Sequence, residues 1–218
     1  MKKILDGMKK TMFAVNPPRY TALEGLHKVQ TARPFRILIA TILSARTKDE
    51  NTTKAADKLF KLYGTPQKLA KAKVKDVEKV IKSVGFYHVK SKRIIEVANL
   101  ILSKYNGKVP ADIDKLVDMP GVGRKTANCV LVYAFEKPAI PVDTHVHRIS
   151  NRLGLVDTKT PEETEMALRE KIPKKYWLDI NNTFVMYGQN ICKPISPICN
   201  VCKIRKTCNY FQTKNASY

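Results

Sequence analysis

Four cysteines crowd the C-terminal end of the sequence, Cys192, Cys199, Cys202 and Cys208, at the spacing C-x6-C-x2-C-x5-C. Thiolates gathered this closely bind iron–sulfur centres or zinc. Zinc sites more often present two short Cys pairs, whereas here one CxxC stands between longer arms. The chemistry alone leaves both metals open. Lys125 is the second group with chemical potential, in Leu116-Val117-Asp118-Met119-Pro120-Gly121-Val122-Gly123-Arg124-Lys125-Thr126-Ala127. Pro120–Gly123 reads as a tight turn between two apolar helical runs, which puts Lys125 in the first turn of the second helix. The helix dipole and adjacent Arg124 both disfavour its ammonium form there. A neutral amine is what nucleophilic attack on an electrophilic carbon requires. The third group is Asp143, in Pro141-Val142-Asp143-Thr144-His145-Val146-His147-Arg148. Taken alone, it is a helix N-cap.

Chain reach permits a second role for Asp143. A helix from Lys125 to Phe135 runs roughly 15 Å at 1.5 Å per residue. The connector Glu136–Val142, if extended, covers about 20 Å at roughly 3.3 Å per residue. The chain can therefore return and set Asp143 across a cleft from Lys125. His145 and His147, at i and i+2 on a helix, point apart and form a poor chelating pair. His145 reads as a structural residue. Cys129 lies on an apolar helical stretch and reads as a buried core thiol.

The elements that must position these groups are helical. Leu38, Ile39, Ile42 and Leu43 form one apolar stripe, and Ala55, Ala56, Leu59, Phe60 and Leu62 another. Val77, Val80, Ile81 and Val84 form a third, and Ile94, Ile95, Ala98, Leu100 and Ile101 a fourth. Gly64, Gly85 and Gly107 follow stripes, where a left-handed residue ends a helix. Thr47 with Glu50, and Thr160-Pro161 with Glu163, have capping-box spacing. No sustained period-two alternation appears, so the expected fold is all-α with short connections. A Pro-containing connector near Asn16–Tyr20 breaks the pattern.

Charge indicates the partner. Forty Lys and Arg stand against nineteen Asp and Glu, a formal net charge of +21. A polyanion is the first reading, because each basic side chain set on a phosphate releases a counterion. The alternative is a Lys-rich surface serving solubility or high-temperature life. The start MKKILDGMKK lacks an apolar core and a small-residue cleavage site, so no export signal is expected. Residues 37–42 and 129–135, the longest apolar runs, are too short to span a bilayer. A cytoplasmic, nucleoid-associated protein with no membrane partner is expected, and its cysteines then read as ligands rather than disulfides.

The segment Pro120–Ala127, the Val142–His145 segment and the cysteine spacing together resemble the endonuclease III family of helix-hairpin-helix DNA repair enzymes. The resemblance runs from about Pro34 to Cys208. It implies two helical domains, residues 27–137 as a six-helix barrel with the hairpin and residues 1–26 with 138–218 as an iron–sulfur domain, with the active cleft between them. It implies a monomer acting on damaged double-stranded DNA as a glycosylase with lyase activity, excising oxidised pyrimidines and nicking the abasic site. Lys125 would be the Schiff-base nucleophile and Asp143 the catalytic carboxylate. Lysine at that position separates this chain from the monofunctional adenine-specific and thymine-mismatch branches. Cys192, Cys199, Cys202 and Cys208 would hold a 4Fe–4S cluster. Gly121, Val122, Gly123 and Arg124 would grip DNA backbone, and the carbonyls of Val117, Met119 and Val122 could hold a monovalent cation. Lys193, Lys203, Arg205 and Lys206 would reach backbone from the cysteine loop. Ser44-Ala45-Arg46-Thr47-Lys48-Asp49 and Gly85-Phe86-Tyr87 stand where the family inserts residues into the duplex. Arg46 and Phe86 are thus the expected plug and wedge, where the family more commonly has glutamine and leucine. A non-catalytic DNA-binding module with zinc on the cysteines is the competing reading.

Overall fold

The computed structural model describes residues 1–15 and 34–215, and among these it contains helices, turns and no strand. The chain divides into two compact units, residues 1–20 with 138–218, and residues 21–137. The connector read near Asn16–Tyr20 and the boundary placed at residues 26 and 27 lie outside the described residues.

The unit spanning residues 21–137 is built around α2 (Pro34–Ser44), which buries eight of its eleven residues. A helix apolar on nearly every face must be surrounded. Around it stand α3 (Asp49–Tyr63), α4 (Pro66–Ala70), α5 (Val74–Val80), α6 (Tyr87–Lys104), α7 (Ile113–Val117) and α8 (Arg124–Phe135). Helices α3, α6 and α8 pack directly on α2, while α4 and α5 pack on α6 and α7 on α8. Thr65 caps α4 by accepting from the Lys68 amide, with Pro66 in the first turn, and Asp112 caps α7 by accepting from the Lys115 amide. Cys129 is fully buried in α8.

The other unit packs α1 (Lys2–Val15) and α9 (Thr144–Arg152) against α11 (Trp177–Asn190). Leu5, Met8 and Met12 of α1 join Val146 and Ile149 of α9 and Phe184 of α11 in one core. Helix α10 (Pro161–Lys171) packs on α9, and α12 (Asn209–Asn215) closes the described chain. Thr160 accepts from the Glu163 amide, so the N-cap half of the capping-box reading holds, while the Glu163 side chain reaches one residue past the cap and accepts from the Lys159 amide.

Three local expectations are corrected. Thr47 does not cap α3; the N-cap position is Lys48, with no side-chain cap bond, because the Thr47 hydroxyl is engaged elsewhere. Of Gly64, Gly85 and Gly107, only Gly107 is left-handed, at φ 76°. Gly64 and Gly85 are required by close packing instead: a Cβ would stand 2.5 Å from the Phe60 carbonyl oxygen at Gly64, and 2.6 Å from that of Arg46 at Gly85. Leu62, placed on the α3 stripe, is 54% exposed.

Candidate active site

In the unit of residues 21–137, α7 and α8 form a helix–turn–helix hairpin closed by the turn Asp118–Gly123. The Met119 amide donates to Leu116 O and the Val122 amide to Met119 O, each at 3.1 Å. Met119 and Val122 are buried and pin the turn to the unit's interior, while Gly121 and Gly123 are exposed. Gly121 takes φ 77°, and a Cβ there would also meet the Arg93 side chain at 2.8 Å. Gly123 differs: a Cβ on it would meet nothing within 4 Å. Its fold does not require glycine, so the missing side chain leaves room for something from outside. Arg124 and Lys125 open α8 beside this gap, both partly exposed, at a helix N-terminus that has no side-chain cap. Such an end presents backbone N–H groups to an anion.

Asp143 lies in the other unit, at the N-cap of α9. Its Oδ1 accepts from the His145 and Val146 amides, both at 2.9 Å. The capping reading of this residue is therefore correct as local structure. The cap uses a single carboxylate oxygen; among the described residues nothing donates to Oδ2. Asp143 is only partly buried, and the two cap bonds hold its carboxyl group at a fixed point.

Helix α9 also carries the main support of the cysteine segment. Arg148 Nη2 donates to Cys192 O at 2.9 Å, to Gly188 O at 3.3 Å and toward His145 Nδ1 at 3.1 Å. Burial lowers the Arg148 pKa, opposed by the neighbouring Cys192 and Asp143. One turn on, Arg152 donates to Lys193 O and Pro194 O at 2.7 Å each and to Cys192 Sγ at 3.4 Å, and lies over the Tyr210 ring at 4.4 Å. These bonds satisfy carbonyls of the loop that follows α11. His147 takes no part; its Nδ1 meets Thr164 Oγ1 at 2.6 Å.

Cys192, Cys199, Cys202 and Cys208 all line one cavity, walled by apolar side chains such as Ile149, Leu153 and Ile204. Tyr187 donates its hydroxyl to Cys202 Sγ at 2.8 Å; burial, then this contact, holds the phenol protonated. Burial also raises the Cys208 thiol, which donates to Arg152 O at 3.3 Å. Four cysteines lining one apolar cavity, with an N–H donor on the Cys192 sulfur and an O–H donor on that of Cys202, are a fitting donor set for a metal cofactor. Among the described residues no three His, Cys, Asp or Glu side chains converge on one metal-ion position.

Lys193, Lys203, Arg205 and Lys206 are all exposed. Arg205 is turned back on its own loop, donating to Asn200 O at 2.8 Å. Arg46 and Phe86 are exposed, Phe86 by 61%, and both are left-handed, at φ 53° and 58°. The Arg46 guanidinium lies 5.8 Å from the Phe86 ring centroid. The two turns that carry them are joined by a bond from the Gly85 amide to Thr47 Oγ1 at 3.1 Å. Sequence reasoning missed Arg93, Lys90, Arg148 and Arg152. Only the last two left a trace, as arginines four apart on a helix that leads toward the cysteines.

Replacing Arg152 with Ala is expected to destabilise the protein by about 1 kcal/mol, because the exposed Lys193 and Pro194 carbonyls lose a charged donor that water replaces only in part. A urea midpoint equal to that of the unsubstituted protein would show the cysteine loop to be held by other contacts.

Residues 39–174, more than half of the chain, match the family model described as HhH-GPD superfamily base excision DNA repair protein. Endonuclease III of Thermotoga maritima is 52% identical over 181 residues, 83% of this chain and 85% of that protein. The Escherichia coli K12 endonuclease III is 38% identical over 177 residues, 81% of this chain and 84% of its own. The fold is similar to that of an endonuclease III trapped as a covalent intermediate with DNA, at TM-score 0.82 and 35% identity, covering 98% of this chain and 96% of that one. A thermostable thymine-DNA glycosylase has the same TM-score at 26% identity, covering 97% and 96%. Motifs, fold and relatives agree, and the chain belongs to the endonuclease III family of helix-hairpin-helix base excision DNA repair proteins.

Proposed function

We propose that this protein is a bifunctional DNA glycosylase and abasic-site lyase of base excision repair, acting as a monomer on damaged double-stranded DNA. The observation that carries the reading is Lys125 itself. An amine at the second residue of α8, beside an open glycine at an uncapped helix N-terminus, can meet a sugar whose flanking phosphate rests on the hairpin. The Lys125 amine attacks C1′ of the damaged nucleotide. The N-glycosidic bond breaks, and the base departs with the bonding pair and takes up a proton. Loss of a proton from nitrogen and ring opening leave a Schiff base between Nζ and C1′. Removal of a C2′ proton then expels the 3′ phosphate by β-elimination, and water releases the product aldehyde. Asp143 supplies negative charge against the oxocarbenium-like sugar and assists proton movement. Its cap to two amides fixes its position while leaving Oδ2 for this work. Oxidised pyrimidines such as thymine glycol are the proposed bases.

The DNA-facing set is Gly121, Gly123 and Arg124 at the hairpin, Arg46 and Phe86 at the paired turns, and Lys193, Lys203, Arg205 and Lys206 at the cysteine loop. The Val122 side chain is buried and its amide bonds to Met119 O, so Val122 serves through its carbonyl, with those of Val117 and Met119, toward a monovalent cation. Cys192, Cys199, Cys202 and Cys208 hold a 4Fe–4S cluster, a reading supported by their C-x6-C-x2-C-x5-C spacing and by the one apolar cavity they all line. When bound, the cluster supplies a covalent staple that orders the loop. Residues 27–137 form the barrel domain, and residues 1–26 with 138–218 the cluster domain.

Borohydride added during reaction with thymine-glycol duplex traps a covalent complex, and Lys125→Gln abolishes it; trapping that survives the substitution removes Lys125 from the nucleophile's role. Asp143→Asn keeps a good N-cap, so its melting temperature stays near that of the unsubstituted protein while base release falls at least a hundredfold. Full activity in that variant would exclude the carboxylate from the mechanism. Gly123→Ala leaves stability within about 0.5 kcal/mol, since its new methyl meets no atom, and weakens binding to duplex DNA severalfold in a titration. Unchanged affinity would detach the hairpin gap from DNA.

A further inference from the structure

Lys90 has no place in the chemistry above, yet its surroundings are unusual. It sits in the first turn of α6, four residues after Phe86, and is only 6% exposed. Its Nζ donates to Leu43 O at 2.8 Å, to Ala45 O, and to Thr47 Oγ1 at 3.1 Å. An ammonium has three N–H groups, and these three acceptors use them all. Burial lowers its pKa to about 8. No carboxylate stands within ion-pair distance of it among the described residues. Keeping a cation there is costly for the fold, because a buried charge without a counter-charge loses its hydration. A methionine could fill the same space at lower cost.

What the cation holds gives its use. All three acceptors belong to the end of α2 and the turn after it, the turn that carries Arg46. The hydroxyl that accepts from Lys90 also accepts from the Gly85 amide, at the foot of the turn that carries Phe86. Arg46 and Phe86 are each left-handed, a conformation that persists only where surrounding bonds over-determine it. A Cβ on Gly85 would collide with Arg46 O, so the two turns are already at contact distance.

We infer that Lys90 is a positioning residue for base extrusion: its buried ammonium, acting with Thr47, locks the two turns into one rigid element from which Arg46 and Phe86 enter the duplex. The inference rests on the DNA-facing role proposed for those two residues. A base must be drawn out of the stack before excision, whereas an abasic site has no base to unstack. Loss of the lock therefore weighs more on base excision than on cleavage of a preformed abasic site.

The test is single-turnover kinetics on two duplexes, one carrying thymine glycol and one a preformed abasic site. The chains compared are the unsubstituted protein, Lys90→Met, Thr47→Val, Arg46→Ala and the double variant Lys90→Met/Arg46→Ala. The ratio of base excision to abasic-site cleavage is expected to fall at least tenfold in both Lys90→Met and Thr47→Val. The double variant should show a ratio no lower than about that of its worse single variant, because both changes break the same element. A ratio unchanged in Thr47→Val, or losses that multiply in the double variant, overturns the inference. Thr47→Val carries the test should Lys90→Met fail to fold. If the unsubstituted protein processes neither duplex, the functional reading fails first, and that outcome is distinct from an unchanged ratio.

Discussion

The two arginines of α9 are the interaction on which the rest of the cysteine-bearing unit depends. Arg148 and Arg152 together donate to the carbonyls of Gly188, Cys192, Lys193 and Pro194. Those carbonyls sit at the end of α11 and just beyond it, where a helix runs out of amide partners. A charged donor satisfies them at once and fixes where the first cysteine stands. Because Asp143 caps the same nine-residue helix at its other end, the carboxylate and the cysteine loop are held by one rigid element. The proposed catalytic charge and the metal-binding segment cannot drift independently.

The same logic recurs in the unit of residues 21–137 with a different donor. There a lysine rather than an arginine meets the orphan carbonyls at the end of a helix, and a threonine shares the work. In both places a cation orders the backbone that must present functional groups; Lys90 does so buried, at the expense of desolvating its charge, while Arg148 and Arg152 are only partly buried. The hairpin solves its own problem without a cation: Met119 and Val122 bury their side chains and pin the turn, which frees the adjacent glycines to face outward. Tight interior packing beneath an exposed, open glycine is a workable platform for gripping a phosphate backbone.

Much of this was legible in the residues. The helical periodicity placed α2, α3 and α6, the turn chemistry placed the hairpin, and the cysteine spacing together with Lys125 indicated the family. Where local reading failed, long-range partners had overridden it. Thr47 has capping-box spacing to Glu50, but a lysine 43 residues away takes its hydroxyl. Gly85 looks like a helix terminator, yet it is glycine because the Arg46 carbonyl passes 2.6 Å from where a Cβ would be. Lys90 is one of forty basic residues, and nothing in a linear sequence separates a buried one from a solvated one. Asp143 was read as both cap and catalytic carboxylate; the cap is present, and it occupies only one of the two oxygens.

In the proposed reaction a particular amine, at the start of the helix after the hairpin, bonds to the deoxyribose. The most direct measurement is mass-spectrometric mapping of the borohydride-reduced covalent complex after nuclease and protease digestion. A single sugar adduct is expected, carried on the Nζ of Lys125. An adduct on any other amine, including Lys90 or the chain's N-terminus, would contradict it.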